Sequence, residues 1–415
     1  MAFSRFPALA SRDFRIFWVG QFVSLIGTWM QNTVLPYLAY RLTGQPFYLG
    51  AIGFAATLPT LFLTLPGGVL VERLDKRATV IVMQIVMMTQ AFALAFLALK
   101  GVITIWHILA LALVMGAANS IEITARQSML IELVGKEALP NAIALQSTIF
   151  NAARVLGPMV SAPFLILLKD KGEGWAFFAN GVSYLAVIVG LLFVRSRPVV
   201  ASTGGSRNPV AEFREGQRFI FRAPVLLQLI GMAALVGFLG FPFTQQIPVF
   251  ARDVLRQTGD TQAVIATRNS ALVTAMGVGA IVAAVSLAVF SNFKRKGMLL
   301  TVGQFIFSGA LIGMALSKSL VTSLPLMALI GWGVVTQLAM TNTLIQLIVP
   351  NELRGRVMSS YLWALQGIAP FGSLFIGWLA QTLGAPTAVL IGGSACLLAV
   401  AVVQALSPRL RRVEV

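Results

Sequence analysis

Apolar residues run along this chain in long blocks separated by short polar breaks, and twelve blocks of about 20 residues fill it. They cover 14–40, 47–71, 77–99, 104–131, 138–168, 175–194, 224–250, 264–291, 298–317, 321–349, 355–382 and 386–406. Blocks of this length match the thickness of a lipid hydrocarbon layer when coiled as helices. Lipid offers no partner to backbone N–H and C=O groups, so each block must satisfy them internally. The pattern therefore predicts an all-α integral membrane protein of twelve transmembrane helices. The longest polar break, 195–222, divides them six and six. This predicts an N-terminal bundle over 1–194, a cytoplasmic basic linker over 195–222, and a C-terminal bundle over 223–415 with a short basic tail. The linker contains the flexible run Ser202-Thr203-Gly204-Gly205-Ser206. From Pro209 onward it reads as an amphipathic helix on an anionic inner leaflet, with Phe213, Phe219 and Phe221 partly sunk into it.

Composition agrees: 57% of residues are hydrophobic and 11% charged, more apolar surface than a soluble domain can hide. The net charge of +17 suggests nucleic acid, but its placement argues otherwise. With a cytoplasmic N-terminus, about 22 of the 31 Lys and Arg residues fall in cytoplasmic segments, eight fall outside, and Arg154 lies within a span. That bias orients a membrane protein, puts both termini in the cytoplasm and leaves no nucleic-acid partner. One cysteine, Cys396, gives no disulfide framework, and one histidine, His107, reads as an interfacial anchor. Together they build no transition-metal cage, and no cofactor is implied. Span 1 is too long for a cleavable signal and lacks its small-residue cleavage site. No Gly-x-x-x-x-Gly-Lys run is present, so an ion or solute gradient is the expected energy source.

The halves echo each other. Leu133-Val134-Gly135-Lys136-Glu137 and Ile348-Val349-Pro350-Asn351-Glu352 both lie between the fourth and fifth spans of their half. Gly157-Pro158 and Ala369-Pro370 follow in the fifth. A shift of 215 residues sets Glu122 on Gln337, Arg126 on Thr341 and Gln127 on Asn342, as a duplicated two-bundle transporter would.

Between spans 2 and 3 stands Gly68-Val69-Leu70-Val71-Glu72-Arg73-Leu74-Asp75-Lys76-Arg77. It resembles the major facilitator superfamily pattern Gly-x-x-x-Asp-Arg-x-Gly-Arg/Lys-Arg/Lys. Glu72 stands for the Asp and Asp75 for the second Gly. Further runs resemble the bacterial branch of that superfamily that contains enterobactin and drug exporters: 14–21, Ala125-Arg126-Gln127, 139–145, 151–158 and 352–357. The resemblance implies two pseudo-symmetric six-helix bundles, alternating access, and residence in the bacterial cytoplasmic (inner) membrane. It implies that the loop between spans 2 and 3 packs on the start of span 11. Gly68, Glu72, Arg73, Asp75, Lys76, Arg77, Arg354 and Arg356 would then form a cytoplasmic gate, with Arg354 or Arg356 pairing with Glu72 or Asp75. The Gly157-Pro158 helix bend resembles the fifth-helix motif of antiporters.

Charges inside spans are costly and usually face a cavity. Glu122 and Arg126 lie one turn apart on span 4, and Arg154 lies in the middle of span 5. Two readings stand. One is proton coupling, in which desolvation favours the neutral acid and a guanidinium favours the carboxylate. The other is a permanent ion pair that fixes span 4 against span 5.

The resemblance also implies that helices 1, 4, 7 and 10 line a central cavity, with contributions from 5, 8 and 11. Gln21, Ser24, Thr28 and Gln31 make one stripe on span 1, with Asn32 beside it. Asn119 and Asn151 share the stripes of Glu122 and Arg154. Gln245 and Gln246 are on span 7, Gln337, Thr341 and Asn342 on span 10, and Trp363 and Gln366 on span 11. These amides and aromatics suit a large amphipathic solute, or bond helices to one another. The expected activity is proton-coupled export of amphipathic molecules such as siderophore-like metabolites or drugs, by a monomer. The alternatives are lipid or lysolipid movement, and a non-transporting membrane sensor or scaffold. No nucleophile pair or paired catalytic carboxylates suggest an enzyme.

Overall fold

The computed structural model describes residues 6–194, 209–289 and 295–406, with the side chains of 64–70, 72–73, 209–213, 351–352 and 406 outside that description. Among the described residues there are helices and turns and no strand. The helices are α1 (Arg12–Thr43), α2 (Pro46–Arg73), α3 (Lys76–Leu99), α4 (Ile105–Leu167), α5 (Gly172–Leu192), α6 (Pro209–Arg222), α7 (Pro224–Leu235), α8 (Ile247–Val249), α9 (Gln262–Val289), α10 (Lys296–Leu316), α11 (Leu320–Ile348), α12 (Asn351–Leu362), α13 (Ala369–Leu383) and α14 (Ala385–Leu406).

Among the described residues ten stretches are long and apolar enough to cross a membrane. The remaining two of the twelve are accounted for locally. One stretch is the 63-residue α4, which contains spans 4 and 5 and breaks at Gly135, whose φ of 74° and ψ of 172° are not helical. The other is α1, whose buried Gln21, Ser24 and Gln31 dilute its apolarity.

Local chemistry sets the ends. Ser11 caps α1 by accepting from the Phe14 N–H, and Gly44, at φ 62°, closes it with a bond to the Tyr40 carbonyl. Asp75 caps α3 by accepting from the Ala78 N–H at 2.7 Å. His107 completes a capping box with Thr104 at the start of α4, accepting from the Thr104 N–H at 3.2 Å. Its ring is therefore part of a helix terminus.

Two compact units emerge. The first comprises Met1–Gly44, Ala55–Ser202 and Gly259–Thr274. Its core joins Phe14 and Phe17 of α1, Val80 of α3, Ala125, Met129 and Ala142 of α4, and Val187 and Leu191 of α5. Polar bonds thread the same helices together. The Trp18 Nε1–H donates to the Leu145 carbonyl at 3.1 Å, and the Asn180 amide donates to Gln31 at 2.8 Å, which donates onward to Gln90 at 3.2 Å. The segment Gly259–Thr274 is braced internally by a two-pronged bond from Arg268 to Asp260, 2.9 and 3.0 Å, and meets the rest of the unit through Ser161 against Ser270 at 3.2 Å.

The second unit comprises Gln45–Phe54, Thr203–Thr258 and Ala275–Val415. Its core joins Ile220 of α6, Leu226 and Leu229 of α7, Leu300 of α10, Leu344 and Ile345 of α11, and Val357 and Tyr361 of α12. Span 7 is irregular beyond α7. It passes through a π turn at Val236–Gly240, a 3-10 turn at Phe241–Gln246 and a second π turn at Phe250–Val254. Pro242 and Pro248 explain part of this, because each removes a helix donor. Span 11 carries another π turn, Trp363–Gly367, between α12 and α13.

Candidate functional site

In the first unit α4 carries two buried charges, Glu122 and Arg154. Glu122 is 2% exposed. One turn on, the Arg126 Nε–H is shared between its two carboxylate oxygens at 3.1 and 3.3 Å. From α3 the Gln84 amide donates to the same carboxylate at 3.3 Å. The carboxylate thus faces the seam between α3 and α4. Asn119, one turn earlier on the same stripe, is exposed.

Arg154 is placed differently. It is 8% exposed, with its guanidinium carbon 5.5 Å from the centre of the Trp29 ring. Trp29 meets Phe150 edge to face at 5.5 Å. Among the described residues no hydrogen bond or ion pair reaches the Arg154 guanidinium, whose Nε is buried without an acceptor. The expected joining of Arg154 to Glu122 is replaced by Gln84, a residue of span 3 that the sequence reading passed over. The approach of Trp29 depends on Gly157, where an added Cβ would lie 2.5 Å from the Trp29 Cβ and 2.7 Å from the Met30 nitrogen. Pro158 follows it, buried. The Asn151 amide donates to the Ser147 carbonyl at 2.8 Å, one turn back.

The span 1 stripe divides. Gln21 and Ser24 are buried, and Gln21 Oε1 has no partner. Thr28 donates to the Ser24 carbonyl at 3.0 Å and lies 3.2 Å from the Tyr184 hydroxyl. Gln31 is spent on Gln90 and Asn180. The last two residues therefore bond helices together, while Asn32 is exposed. In the second unit Gln337 and Thr341 are buried on α11, with the Gln337 amide nitrogen unpartnered. Asn342 accepts from Gln346 within α11. Gln246 is buried and donates to the Pro46 carbonyl at 3.4 Å, and Gln245 is half-buried. Trp363 and Gln366 are exposed on the π turn, a geometry frequent at functional sites.

The structure describes part of the basic loop. Gly68, Glu72 and Arg73 lie among the residues whose side chains are not described. Asp75 is occupied as the α3 cap. Lys76 pairs with Glu132 of α4 at 2.6 Å, a carboxylate only 3% exposed. Arg77 donates to the carbonyls of Leu191 at 2.7 Å and Leu192 at 3.0 Å, closing the end of α5. Arg356 pairs with Glu215 of α6, and Gln217 donates to Ser360 at 3.0 Å. Arg354 is exposed. Each partner lies nearby in the same unit, where geometry is fixed by direct packing. The sequence hint for Glu132 was an acid in the last turns before Gly135, on the helix that follows α3.

The model of the family described as "Transmembrane secretion effector" matches residues 3–415. The chain belongs to that family of major facilitator transporters. Membership makes it a multi-pass membrane transporter and not an enzyme. A relative, the multidrug efflux pump Tap of Mycolicibacterium fortuitum, is 23% identical over 94% of this chain and 94% of its own. The enterobactin exporter EntS of Shigella boydii serotype 18 is 25% identical over 88% of this chain and 85% of its own. Among solved structures, a POT family transporter in complex with 5-aminolevulinic acid superposes with a TM-score of 0.73 at 12% identity, covering 96% of this chain and 97% of that one. At that identity the likeness concerns the fold alone. Family members are transporters of small solutes.

Proposed function

We propose that this protein is a proton-coupled exporter of amphipathic small molecules. It works by alternating access in the bacterial inner membrane, as a monomer with both termini cytoplasmic. One observation carries the coupling: a carboxylate 2% exposed within a membrane-spanning helix, held by a single guanidinium and one amide. Protonating Glu122 would cancel its charge and weaken the Arg126 bonds, since a bond between ionised partners is roughly twice as strong as a neutral one. Arg126, 15% exposed, would then be free to turn toward water or a solute. Loss of the proton would restore the pair, which gives two states that a pH gradient can bias. The names of the relatives, a multidrug efflux pump and an enterobactin exporter, support export and an amphipathic cargo. The basic cytoplasmic segments support the orientation.

The test is proton flux in proteoliposomes under an imposed pH gradient. Lipophilic cations, catecholate chelators and lysolipids are added one at a time, for wild type and Glu122→Gln. A compound that collapses the gradient with wild type and not with the variant is the expected result. Transport that keeps its pH dependence in Glu122→Gln would make Glu122 a structural ion-pair partner.

A further inference from the structure

A lone guanidinium inside a membrane helix needs a partner, because a buried charge without one is strongly penalised. Glu122 has Arg126 and Gln84, Glu132 has Lys76, and Asp260 has Arg268. Arg154 stands apart: 8% exposed, its Nε buried without an acceptor, its one described contact the face of Trp29. Two turns earlier on the same helix, Gln146 is 7% exposed, with both amide atoms buried and unpartnered. Between them on that side of α4 lies Phe150, 45% exposed and edge-on to Trp29. An unspent fork of N–H donors therefore lies beside an aromatic wall with an open edge. A guanidinium takes planar oxyanions two-pronged, and keeps its stacking on an indole while doing so.

We propose that Arg154, Trp29 and Phe150 form a subsite for an organic anion, a carboxylate joined to an aromatic or apolar body, within the first unit. The oxyanion takes the Arg154 donors and the body lies against Phe150 and the Trp29 edge. This rests on the export reading and gives its solute a charge. It also separates two roles: Arg154 binds the cargo, while Glu122 and Arg126 carry the proton.

The test uses the full chain in nanodiscs of zwitterionic lipid, with no gradient present. Calorimetric titration compares 2-naphthoate with its neutral isostere 2-naphthamide, after subtraction of empty discs. The anion should bind about tenfold tighter than the amide, and the preference should fall to about twofold or less in Arg154→Gln. Arg154→Lys, which keeps the charge and loses the planar fork, should fall between them. A measurement on wild type guards against a variant that misfolds. Phenylglyoxal modification of Arg154, followed by peptide mass spectrometry, should be slowed by 2-naphthoate and not by 2-naphthamide. Equal affinities, binding of neither compound, a preference that survives Arg154→Gln, or unprotected labelling would each overturn the proposal. Because the assay needs no proton flux, a failure of coupling through Glu122 leaves its result intact, and the reverse also holds.

Discussion

Lys76 offers the sharpest energetic test, because its partner is buried and its own end reaches water. The Nζ lies 2.6 Å from Glu132, whose side chain is 3% exposed, while the lysine side chain is 19% exposed. Lys76→Met removes the cation at 2.6 Å from this carboxylate, between α3 and α4. Stranding one member of a fully buried pair costs about 3–5 kcal/mol. Water at the lysine end of the seam lowers that to about 2–3 kcal/mol here. For a folding unit of some 200 residues each kcal/mol moves the melting midpoint by about 2–4 °C, so a drop of roughly 5–10 °C is expected. Melting of the purified protein in one detergent at one scan rate is the assay, since membrane proteins of this size often unfold irreversibly.

The companion variant makes the reasoning refutable. In Lys76→Met/Glu132→Leu both charges of the pair are removed, and the gap is filled by apolar atoms of similar size. Such replacements are near neutral or better, so the double variant should melt above Lys76→Met and within about 1 kcal/mol of wild type. If Lys76→Met melts within about 1 °C of wild type, or the double variant melts as low as the single, the pair is not the buried brace that its geometry describes.

Further predictions follow from other contacts. Asn180→Leu leaves the Gln31 carbonyl oxygen without its 2.8 Å donor, which should cost about 1–3 kcal/mol in the same melt, and Asn180→Ala should not rescue it. Asp260→Asn weakens a two-pronged bond to an arginine only 4% exposed, so Gly259–Thr274 should open first, seen as faster hydrogen exchange there than in α5. Gly377→Val would press on Gly50, where even a Cβ lies 2.8 Å from the Gly50 Cα, and transport should fall by at least about tenfold while expression persists. Gln217→Ala removes the 3.0 Å bond to Ser360, and protease should cut the chain near α6 faster than in wild type.

The fold was legible because lipid imposes one simple rule on every span. Length and apolarity delimit the helices, and the periodic punctuation locates their ends. What escaped were the places where a helix departs from that rule for local reasons. The sharpness of the break between spans 4 and 5 is one such place: it is confined to Gly135, at φ 74° and ψ 172°, with helix close on either side. The π turn at Trp363–Gly367 has no proline within it, and no composition signal distinguishes it from the helix on either side. Partners were harder still. Glu122 and Arg126 are four apart on one helix, a spacing that sequence displays directly. Gln84 and Lys76 reach α4 from α3, and only packing selects which of several polar residues on that helix meets which acid. Asp75 adds a local role that the gate motif does not display: it caps α3 by accepting from a backbone N–H three residues on. Local use of a polar group wins whenever its own backbone offers an orphan donor, because the closure of so short a loop costs little entropy.

The same reasoning explains why charge in this chain divides into two kinds. Among the described residues, buried carboxylates are matched with a base close by: Glu122 with Arg126, Glu132 with Lys76, Glu173 with Arg41 at 2.9 Å. A matched pair can be sealed into a bundle and left there, and it changes state only when a proton removes one charge. An unmatched base cannot be sealed so cheaply, because nothing within the protein repays its desolvation. Its persistence at Arg154, against an indole face and beside an exposed phenyl ring, has a physical rationale if the compensating charge arrives from outside and leaves again. In a transporter the molecule that arrives and leaves is the cargo. Adding an acid near Arg154, as in Phe150→Glu, would then supply that charge permanently. Such a variant should melt higher than wild type and lose affinity for organic anions, two effects with opposite signs that a purely structural arginine would not produce together.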